Sequence, residues 1–353
     1  KMAIYSIWNN KGGVGKSYLT FQIASEYAIQ NPDKKVLVID LCPQANSSSM
    51  LLGGMVNGER VLNAIHSVMP RNTISGYVED RILSPYVNPN TGMRYVTQVS
   101  RHNQYVPDNL YLVVGDEQLE IQSSRVVSAT FPGPQDAWRV VHSWISDLIN
   151  DIGNSWNHEP FTVFIDCNPS FSIYTELALS SSDRLIIPFS ADGSSKRAVK
   201  AVLSLVFGIT RGQGQQSSEF TLNTQRYRMS FPEIYMYVGN RLTQMNNSSA
   251  TAFKTVVNEI GEEIYGVWQS SANLFCVHPN GTATPNNKRS FKAMFQYEVN
   301  DANTASVVSG ANGIPISRLT SGTKNVLGKN IVVNQAQLDK QYPNIRDLVA
   351  AIE

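Results

Sequence analysis

A glycine-rich segment near the amino terminus constrains the fold of this chain more than any other feature. Residues 11–17 read Lys-Gly-Gly-Val-Gly-Lys-Ser and stand between a short apolar run, residues 2–8, and a helical pattern from Ser17 to about Gln30. Glycines at this spacing let the backbone curl so that several N–H groups point at one centre, and the amino end of the following helix adds positive charge. The segment therefore predicts a strand, a phosphate-binding loop and a helix, in that order.

The loop departs from the general phosphate-binding motif in one respect. The form G-x-x-x-x-G-K-S/T requires a glycine where this chain has Asn10, and a second lysine, Lys11, follows it. In such a loop we expect Lys16 to contact the β- and γ-phosphates of ATP and the Ser17 hydroxyl to ligate Mg²⁺. The alternative, a glycine turn with two surface lysines, is disfavoured because a strand-like run precedes the segment and a helical pattern follows it. The expected nucleotide contacts in the loop are Lys11, Gly12, Gly13, Val14, Gly15, Lys16, Ser17 and Tyr18.

Two further strand-like runs end in aspartate. Residues 36–40 read Val-Leu-Val-Ile-Asp, and residues 161–166 read Phe-Thr-Val-Phe-Ile-Asp. Continuous apolar runs mark strands that are buried on both faces of a parallel sheet, and carboxylates at their carboxyl ends face the ligand crevice. We therefore expect Asp40, Asp166 or both to hold Mg²⁺ directly or through water. The alternative is that each is simply an aspartate in the turn after a strand.

Strand-like and helical patterns alternate along the rest of the chain. Apolar runs recur at residues 185–188 and 234–238, and helical patterns cover about residues 137–152, 194–208, 249–264 and 335–352. This alternation predicts an α/β fold with a doubly wound, mostly parallel sheet. We interpret residues 1–353 as a single domain in which three long polar segments are insertions. These segments are residues 70–109, 210–232 and 278–325, with approximate bounds.

Composition restricts the function classes without selecting one. The net charge is +1, so any contact with nucleic acid must come from a local basic patch. No apolar stretch approaches the roughly 20 residues of a transmembrane helix, and the first residues read as a strand rather than a signal peptide. The three cysteines and five histidines are dispersed, which argues against a disulfide framework or a zinc site. We therefore expect a cytoplasmic protein that does not bind membranes.

Three blocks of sequence together resemble the ParA/MinD family of deviant Walker A ATPases, and its ParA-like partition ATPases in particular. The blocks are residues 11–17, residues 36–46 and residues 164–170. The resemblance implies ATP and Mg²⁺ as cofactors and an ATP-dependent homodimer in which Lys11 reaches the partner's nucleotide. It also implies nonspecific DNA binding, and plasmid or chromosome partition with a ParB-like adaptor protein, which would place the protein on the nucleoid. Asn240 and Arg241 resemble a family segment near the adenine.

One position departs from the family pattern. The family usually has Asp-x-Asp-Pro-Gln, in which the second aspartate orients or activates the attacking water, and here that position is Cys42. A thiol with a pKa of about 8.5 is mostly neutral near pH 7 and replaces a carboxylate poorly. We therefore expect slow hydrolysis, or water positioned by another group such as Gln44 or a partner protein. The resulting catalytic candidates are Lys11, Lys16, Asp40 and Cys42.

A function other than partition stays open, because partition requires ATP hydrolysis and Cys42 disfavours hydrolysis. In this alternative the chain is a ParA-like regulatory or scaffolding ATPase that positions another cargo, or that supports a secretion or polymer-synthesis machine. The overall resemblance favours partition instead, as do two local groups of basic residues.

These basic groups are candidates for DNA contacts. The 196–200 cluster consists of Lys196, Arg197 and Lys200, and the 288–292 cluster consists of Lys288, Arg289 and Lys292. Each stands at the start of a predicted helix. Such clusters bind phosphates and give affinity without reading bases. The alternative for each is a solvated helix face.

Overall fold

The strands of the molecule are short and lie mostly in one sheet. The computed structural model describes residues 3–131, 133–209, 217–242 and 249–353. The strands within these ranges are β1 (Ala3–Ile7), β2 (Lys35–Asp40), β3 (Val96–Gln98), β4 (Leu110–Val113), β5 (Phe161–Asp166), β6 (Arg184–Phe189), β7 (Glu233–Asn240), β8 (Gln296–Val299), β9 (Gly322–Val326) and β10 (Lys329–Val333). In the described ranges, eight of them form a sheet in the order β3-β4-β2-β5-β1-β6-β7-β8, and β9 and β10 form a separate antiparallel hairpin.

Helices connect most of these strands. In chain order they are α1 (Lys16–Gln30), α2 (Asn46–Leu51), α3 (Asn57–Ser67), α4 (Ile74–Leu83), α5 (Gln118–Ala129), α6 (Ala137–Val141), α7 (Trp144–Ser155), α8 (Ile173–Ser181), α9 (Ser195–Phe207), α10 (Glu219–Arg226), α11 (Ala250–Ser271), α12 (Lys288–Phe295), α13 (Thr304–Asn312) and α14 (Gln335–Ala350). In the described sheet only the β3–β4 pair is antiparallel. The predicted α/β class with a mostly parallel sheet is therefore confirmed.

The central strands are buried on both faces, as their continuous apolar sequences predict. Side chains that alternate along β2 belong to two separate cores: Leu37 and Ile39 pack into one, Val36 and Val38 into the other. Helices α1, α13 and α14 contribute to the second core, whereas α7, α8 and α11 contribute to the first. Helices thus cover both faces, and the carboxyl ends of the parallel strands stay accessible for a ligand.

The structure differs from the sequence patterns in a few elements. The helical pattern of residues 137–152 is two helices, α6 and α7, which separate at His142 and Ser143. The Ser143 hydroxyl donates to the Arg139 carbonyl at 2.8 Å, and His142 Nδ1 lies 2.8 Å from the Trp138 carbonyl. Side chains that bind backbone carbonyls in this way compete with a regular helix, which explains the break.

The long polar segments contain secondary structure that the sequence patterns do not predict. Residues 70–109 include α4 and β3, and residues 278–325 include β8, which pairs in parallel with β7 and so extends the main sheet. In the remaining segment, residues 210–232, residues 210–216 lie outside the described residues, and α10 occupies much of the rest. The division into one domain with insertions stays a prediction.

None of the helices in the described ranges combines the length and the apolar character needed to cross a bilayer.

Candidate nucleotide-binding site

The loop between β1 and α1 has the conformation that its glycines predict. Gly13 and Gly15 have φ angles of 73°, in the left-handed region, and α1 begins directly after Gly15. A Cβ atom on Gly15 would lie 2.2 Å from Asn240 Nδ2, which itself donates to the Val14 carbonyl at 3.2 Å. Only glycine avoids both the backbone strain and this collision. The loop is therefore packed against the end of β7.

This loop forms one wall of a cavity of about 620 Å³. The cavity lies at the carboxyl ends of the central strands, where open α/β sheets bind ligands. It brings together every residue that the sequence assigns to the nucleotide: all of residues 11–18, and Asn240 and Arg241 as well. The wall of the cavity also includes Cys42, Asn46, Glu120, Asn168, Ser306 and Gln341.

Asp40 and Asp166 lie side by side behind this wall. They are partners in the register of β2 and β5, and both are fully buried. Asp40 accepts hydrogen bonds from the Cys42 backbone N–H at 2.9 Å and from the Ser48 hydroxyl at 2.6 Å. Burial, and then the charge of Asp166, raise the pKa of the Asp40 carboxyl to about 6. The two carboxylates therefore need a cation between them or close by.

Lys16 supplies that cation. Its side chain is 6% exposed, and its ammonium forms an ion pair with Asp166 and lies 3.2 Å from Cys42 Sγ. Burial opposes the charge, but the attraction of Asp166 outweighs it and raises the pKa of Lys16 above its usual value. The lysine is thus held charged at the base of the cavity, beside the loop amides.

Oxygen donors suited to Mg²⁺ are present at the same place. The Ser17 hydroxyl donates to Asp166 Oδ2 at 3.1 Å, and donor atoms of Asp40, Cys42 and Asp166 all lie within 4.8 Å of one another. Mg²⁺ prefers hydroxyl and carboxylate oxygens, so Ser17, Asp40 and Asp166 fit this ion. The sulfur of Cys42 is a soft ligand and does not.

Cys42 lies at the centre of this arrangement but carries no charge. Burial, and then the charge of Asp166, hold the pKa of its thiol well above the usual value. The Sγ atom lies 3.1 Å from the Cys167 carbonyl, to which the thiol donates. A neutral sulfur therefore occupies the position that the family pattern gives to an aspartate.

Lys11 has partners that the sequence motif does not predict. Its ammonium forms an ion pair with Asp192, and Ser190 Oγ lies 3.5 Å away. Both partners follow β6, whose carboxyl end lies beside that of β1. Burial opposes the charge of Asp192, but the hydrogen bond from Lys11 outweighs it and lowers the pKa of this carboxyl. The lysine is thus held by its own chain in this structure.

Several residues of the site lack a motif of their own. Ser48 positions Asp40, Asp192 holds Lys11, and Glu120 lines the cavity. The position of Asp192 shortly after the buried strand β6 could have identified it, because polar residues after such strands face the ligand crevice. Asp40 and Asp166 were identified in the same way. No comparable pattern marks Ser48 or Glu120, because they reach the site from helices.

The two basic clusters differ in their surroundings. Arg197 and Lys200 are exposed on the first turns of α9, and in the described ranges the 196–200 cluster forms no ion pair. In the 288–292 cluster, Lys288 Nζ lies 2.8 Å from Glu262 Oε2 and Lys292 Nζ lies 3.8 Å from Glu262 Oε1. The positive charge of the second cluster is therefore partly neutralised.

Solved structures show the same fold along nearly the whole chain. Apo McdA from Cyanothece superposes with a TM-score of 0.58 at 14% identity, over 98% of this chain and 99% of that one. A variant of McdA in complex with ATP gives 0.59 at 13% identity, over 100% and 98%. A protein from Borrelia burgdorferi described as a plasmid partition protein, bound to AMPPNP, gives 0.53 at 16% identity, over 99% of both chains.

Sequence comparison gives the family. A curated relative from Pseudomonas putida, whose function is not described, is 23% identical over 234 residues, which are 65% of this chain and 71% of its own length. A family model described as an AAA domain (AAA_31) matches residues 2–217, more than half of the chain. These residues contain the loop, both aspartates and Lys11 with its partners. The chain therefore belongs to this family, the ParA/MinD-like ATPases that carry a deviant Walker A motif.

Proposed function

We propose that this protein is a ParA-like ATPase that binds ATP with Mg²⁺ and dimerises in the ATP state. One observation carries the proposal: the loop of residues 11–17 curls around the end of a 620 Å³ cavity, with the charged Lys16 at its base. Loop amides and the amino end of α1 are ready-made ligands for a phosphate chain. The complexes of similar proteins with ATP and AMPPNP support this assignment.

Nucleotide binding would exchange the partners of Lys16. The phosphates offer a stronger negative charge than Asp166 alone, so Lys16 would turn to the β- and γ-phosphates. Asp166, with Ser17 and Asp40, would then hold Mg²⁺, which neutralises charge that develops on the phosphates. The ion would thus take the place of Lys16 beside the two buried carboxylates.

Lys11 is the proposed link between nucleotide and assembly. In this structure Asp192 and Ser190 hold its ammonium within one chain. A triphosphate on a second copy is a stronger anion than the single carboxylate, so Lys11 would move to it only when ATP is present. A ligand that favours the dimer in this way shifts the assembly equilibrium.

Hydrolysis is proposed to be slow because Cys42 cannot act as a carboxylate. The buried thiol stays neutral, so it neither accepts a proton from water nor orients water as strongly as an anion does. A long-lived ATP dimer follows from this. Such a dimer would persist until a partner protein accelerates turnover or nucleotide dissociates.

We propose nonspecific DNA as the surface that the dimer binds, and partition of a plasmid or chromosome with a ParB-like adaptor as the outcome. The 196–200 cluster is the favoured contact because its cations are not engaged by acidic residues in the described ranges. The 288–292 cluster is second, since Glu262 already pairs with two of its cations. Phosphate contacts of this kind do not depend on base sequence.

A scaffolding role for another cargo is the second candidate, and Cys42 is the observation that favours it. A protein that only needs an ATP-stabilised dimer does not need fast hydrolysis. In that case the dimer forms with ATP but does not bind DNA.

Light scattering on the protein with ADP, ATP and a slowly hydrolysed analogue, each with and without DNA, tests these proposals. We expect a monomer with ADP, a dimer with ATP or the analogue, and larger DNA complexes only in the dimeric state. The Lys11→Ala variant should bind the analogue but stay monomeric. A wild type that stays monomeric with every nucleotide would contradict the proposed dimerisation. A dimer that does not bind DNA would favour the scaffolding role.

A further inference from the structure

The wall of the nucleotide cavity contains one carboxylate that the proposed mechanism has not used. Among the described residues that line the cavity, Glu120 is the only acidic one. Asp40 and Asp166 lie behind the wall and are fully buried. Lys16, Cys42 and Glu120 line the same cavity, so the carboxylate belongs to the compartment that would hold the nucleotide.

The three carboxylates differ in whether their oxygens are free. Asp40 accepts hydrogen bonds from Cys42 and Ser48, and Asp166 accepts them from Lys16 and Ser17. Glu120 is exposed, and within the described part of the chain its carboxylate has no hydrogen-bond or ion-pair partner. A general base needs an oxygen lone pair that is open to water. Glu120 meets this requirement, whereas both aspartates are already engaged.

Hydrogen bonds tie the start of α5, and with it the backbone of Glu120, to the site. The Gly115 N–H donates to Ser48 Oγ at 2.9 Å, and the same hydroxyl donates to Asp40. One residue later, Asp116 accepts two hydrogen bonds from Arg71, at 2.6 and 2.8 Å. The first turn of α5 is therefore anchored beside the carboxyl end of β2, and Glu120 lies on that turn.

We propose that Glu120 is a catalytic residue that partly replaces the carboxylate missing at position 42, so that hydrolysis is slow but not abolished. The inference rests on the proposed ATPase function. The oxygen of a water molecule forms a bond to the γ-phosphorus of ATP, and the bond from that phosphorus to the β–γ bridging oxygen breaks. ADP leaves with the electron pair of the broken bond, and Glu120 accepts the proton that the water loses.

Paired substitutions in two backgrounds test this role. In the wild type, Glu120→Gln should lower kcat by about tenfold or more, the scale of a lost general base, while affinity for ATP changes little. In the Cys42→Asp background the same substitution should lower kcat by less than about threefold, because a carboxylate is restored at the usual position. Glu117→Gln is the matched control, since Glu117 is an exposed residue one turn earlier that does not line the cavity.

Chemical rescue distinguishes a catalytic carboxylate from a structural one. Added formate should raise the turnover of Glu120→Ala and leave that of Glu117→Ala unchanged, because a small carboxylate can occupy the space that the side chain leaves. The proposal would be overturned if Glu120→Gln lowered kcat equally in both backgrounds or did not lower it in the wild type. Failure of formate to raise the turnover of Glu120→Ala would overturn it too. A wild type that binds ATP without any turnover would overturn it as well, whereas a wild type that binds no ATP would refute the proposed function itself.

Discussion

At the scale of single residues, the site is a balance of buried charges. Lys16 forms an ion pair with Asp166, and its charge offsets the repulsion between the neighbouring carboxylates of Asp40 and Asp166. Cys42 adds a neutral group where the family pattern has a third carboxylate. The charge balance therefore differs from that of a family member with the usual aspartate, and the rate of hydrolysis is the property that this difference should change.

The first prediction concerns Cys42. The Cys42→Asp variant should hydrolyse ATP about tenfold or more faster than the wild type, because a carboxylate orients and deprotonates water where a neutral thiol does not. Phosphate release at saturating ATP measures the effect, and Cys42→Ser, which stays neutral, is the control. A fast wild type that the aspartate does not accelerate would contradict the account of this position.

The residues of the nucleotide-binding site that belong to sequence motifs could be predicted. Lys16 and Ser17 are recognisable from the glycine spacing, and Asp40 and Asp166 from the strands that they end. The contact of Lys11 with Asp192 was not predictable in the same way, because it joins residues 181 apart in the chain. Contacts at that separation depend on the order of the strands in the sheet, which local patterns do not determine.

At the scale of the elements, the loop before α1 depends on the absence of a side chain at Gly15. We predict that Gly15→Ala weakens binding of an ATP analogue by at least about tenfold, since the new Cβ would collide with Asn240 and the φ angle of 73° would be strained. Isothermal calorimetry measures the loss. Gly193→Ala is the control, because a Cβ there meets no atom within 4 Å, Gly193 does not line the cavity, and the affinity should change by less than about threefold. Equal affinities of the two variants would contradict this account of the loop.

The start of α5 depends on Asp116, which Arg71 and Thr73 hold by hydrogen bonds. Burial opposes the charge of Asp116, but the hydrogen bonds from Arg71 and Thr73 outweigh it and lower the pKa of this carboxyl. A lowered pKa contributes stability above the unfolded value, about 3.9, and the contribution is lost as pH falls through the folded value. Asp116→Asn should therefore lower the free energy of unfolding by about 1–3 kcal/mol at neutral pH. The decrease should become progressively smaller below about pH 4.

Urea denaturation at several pH values checks this expectation. Asp136→Asn is the control, because Asp136 forms an exposed ion pair with Arg139 and such pairs contribute little to stability. A cost for Asp116→Asn that stays constant as pH falls would contradict the assignment of the effect to the charge.

Strongly apolar strands could be predicted from the sequence more accurately than polar ones. The strongly apolar strands β2, β5 and β6 were found at nearly their observed bounds, because burial on both faces leaves a continuous apolar run. Strand β8, which reads Gln-Tyr-Glu-Val, has no such run and joins the sheet only as its edge. Its strand conformation depends on pairing with β7, and no local pattern in the sequence contains that information.

At the scale of the whole molecule, the distribution of charge matters more than the net charge of +1. We predict that alanine at all three positions of the 196–200 cluster weakens DNA binding by the ATP state and lowers the salt slope of the affinity by about one for each phosphate that the protein no longer neutralises. The same change in the 288–292 cluster should have a smaller effect, because Glu262 already neutralises part of its charge. Fluorescence anisotropy over a range of salt concentrations measures both slopes, and an equally large decrease in the two variants would contradict the choice of surface.

Every activity proposed for this protein requires Lys16 and the loop to bind a triphosphate. Calorimetric titration of the protein with ATP and Mg²⁺, for the wild type and for Lys16→Ala, measures this directly, with circular dichroism to verify that the variant is folded. The account predicts about one nucleotide per chain for the wild type and an affinity at least about tenfold lower for Lys16→Ala, since the loss of a charged hydrogen bond costs about 1.5–3 kcal/mol. No binding by the wild type, or equal affinity in a folded Lys16→Ala variant, would contradict it.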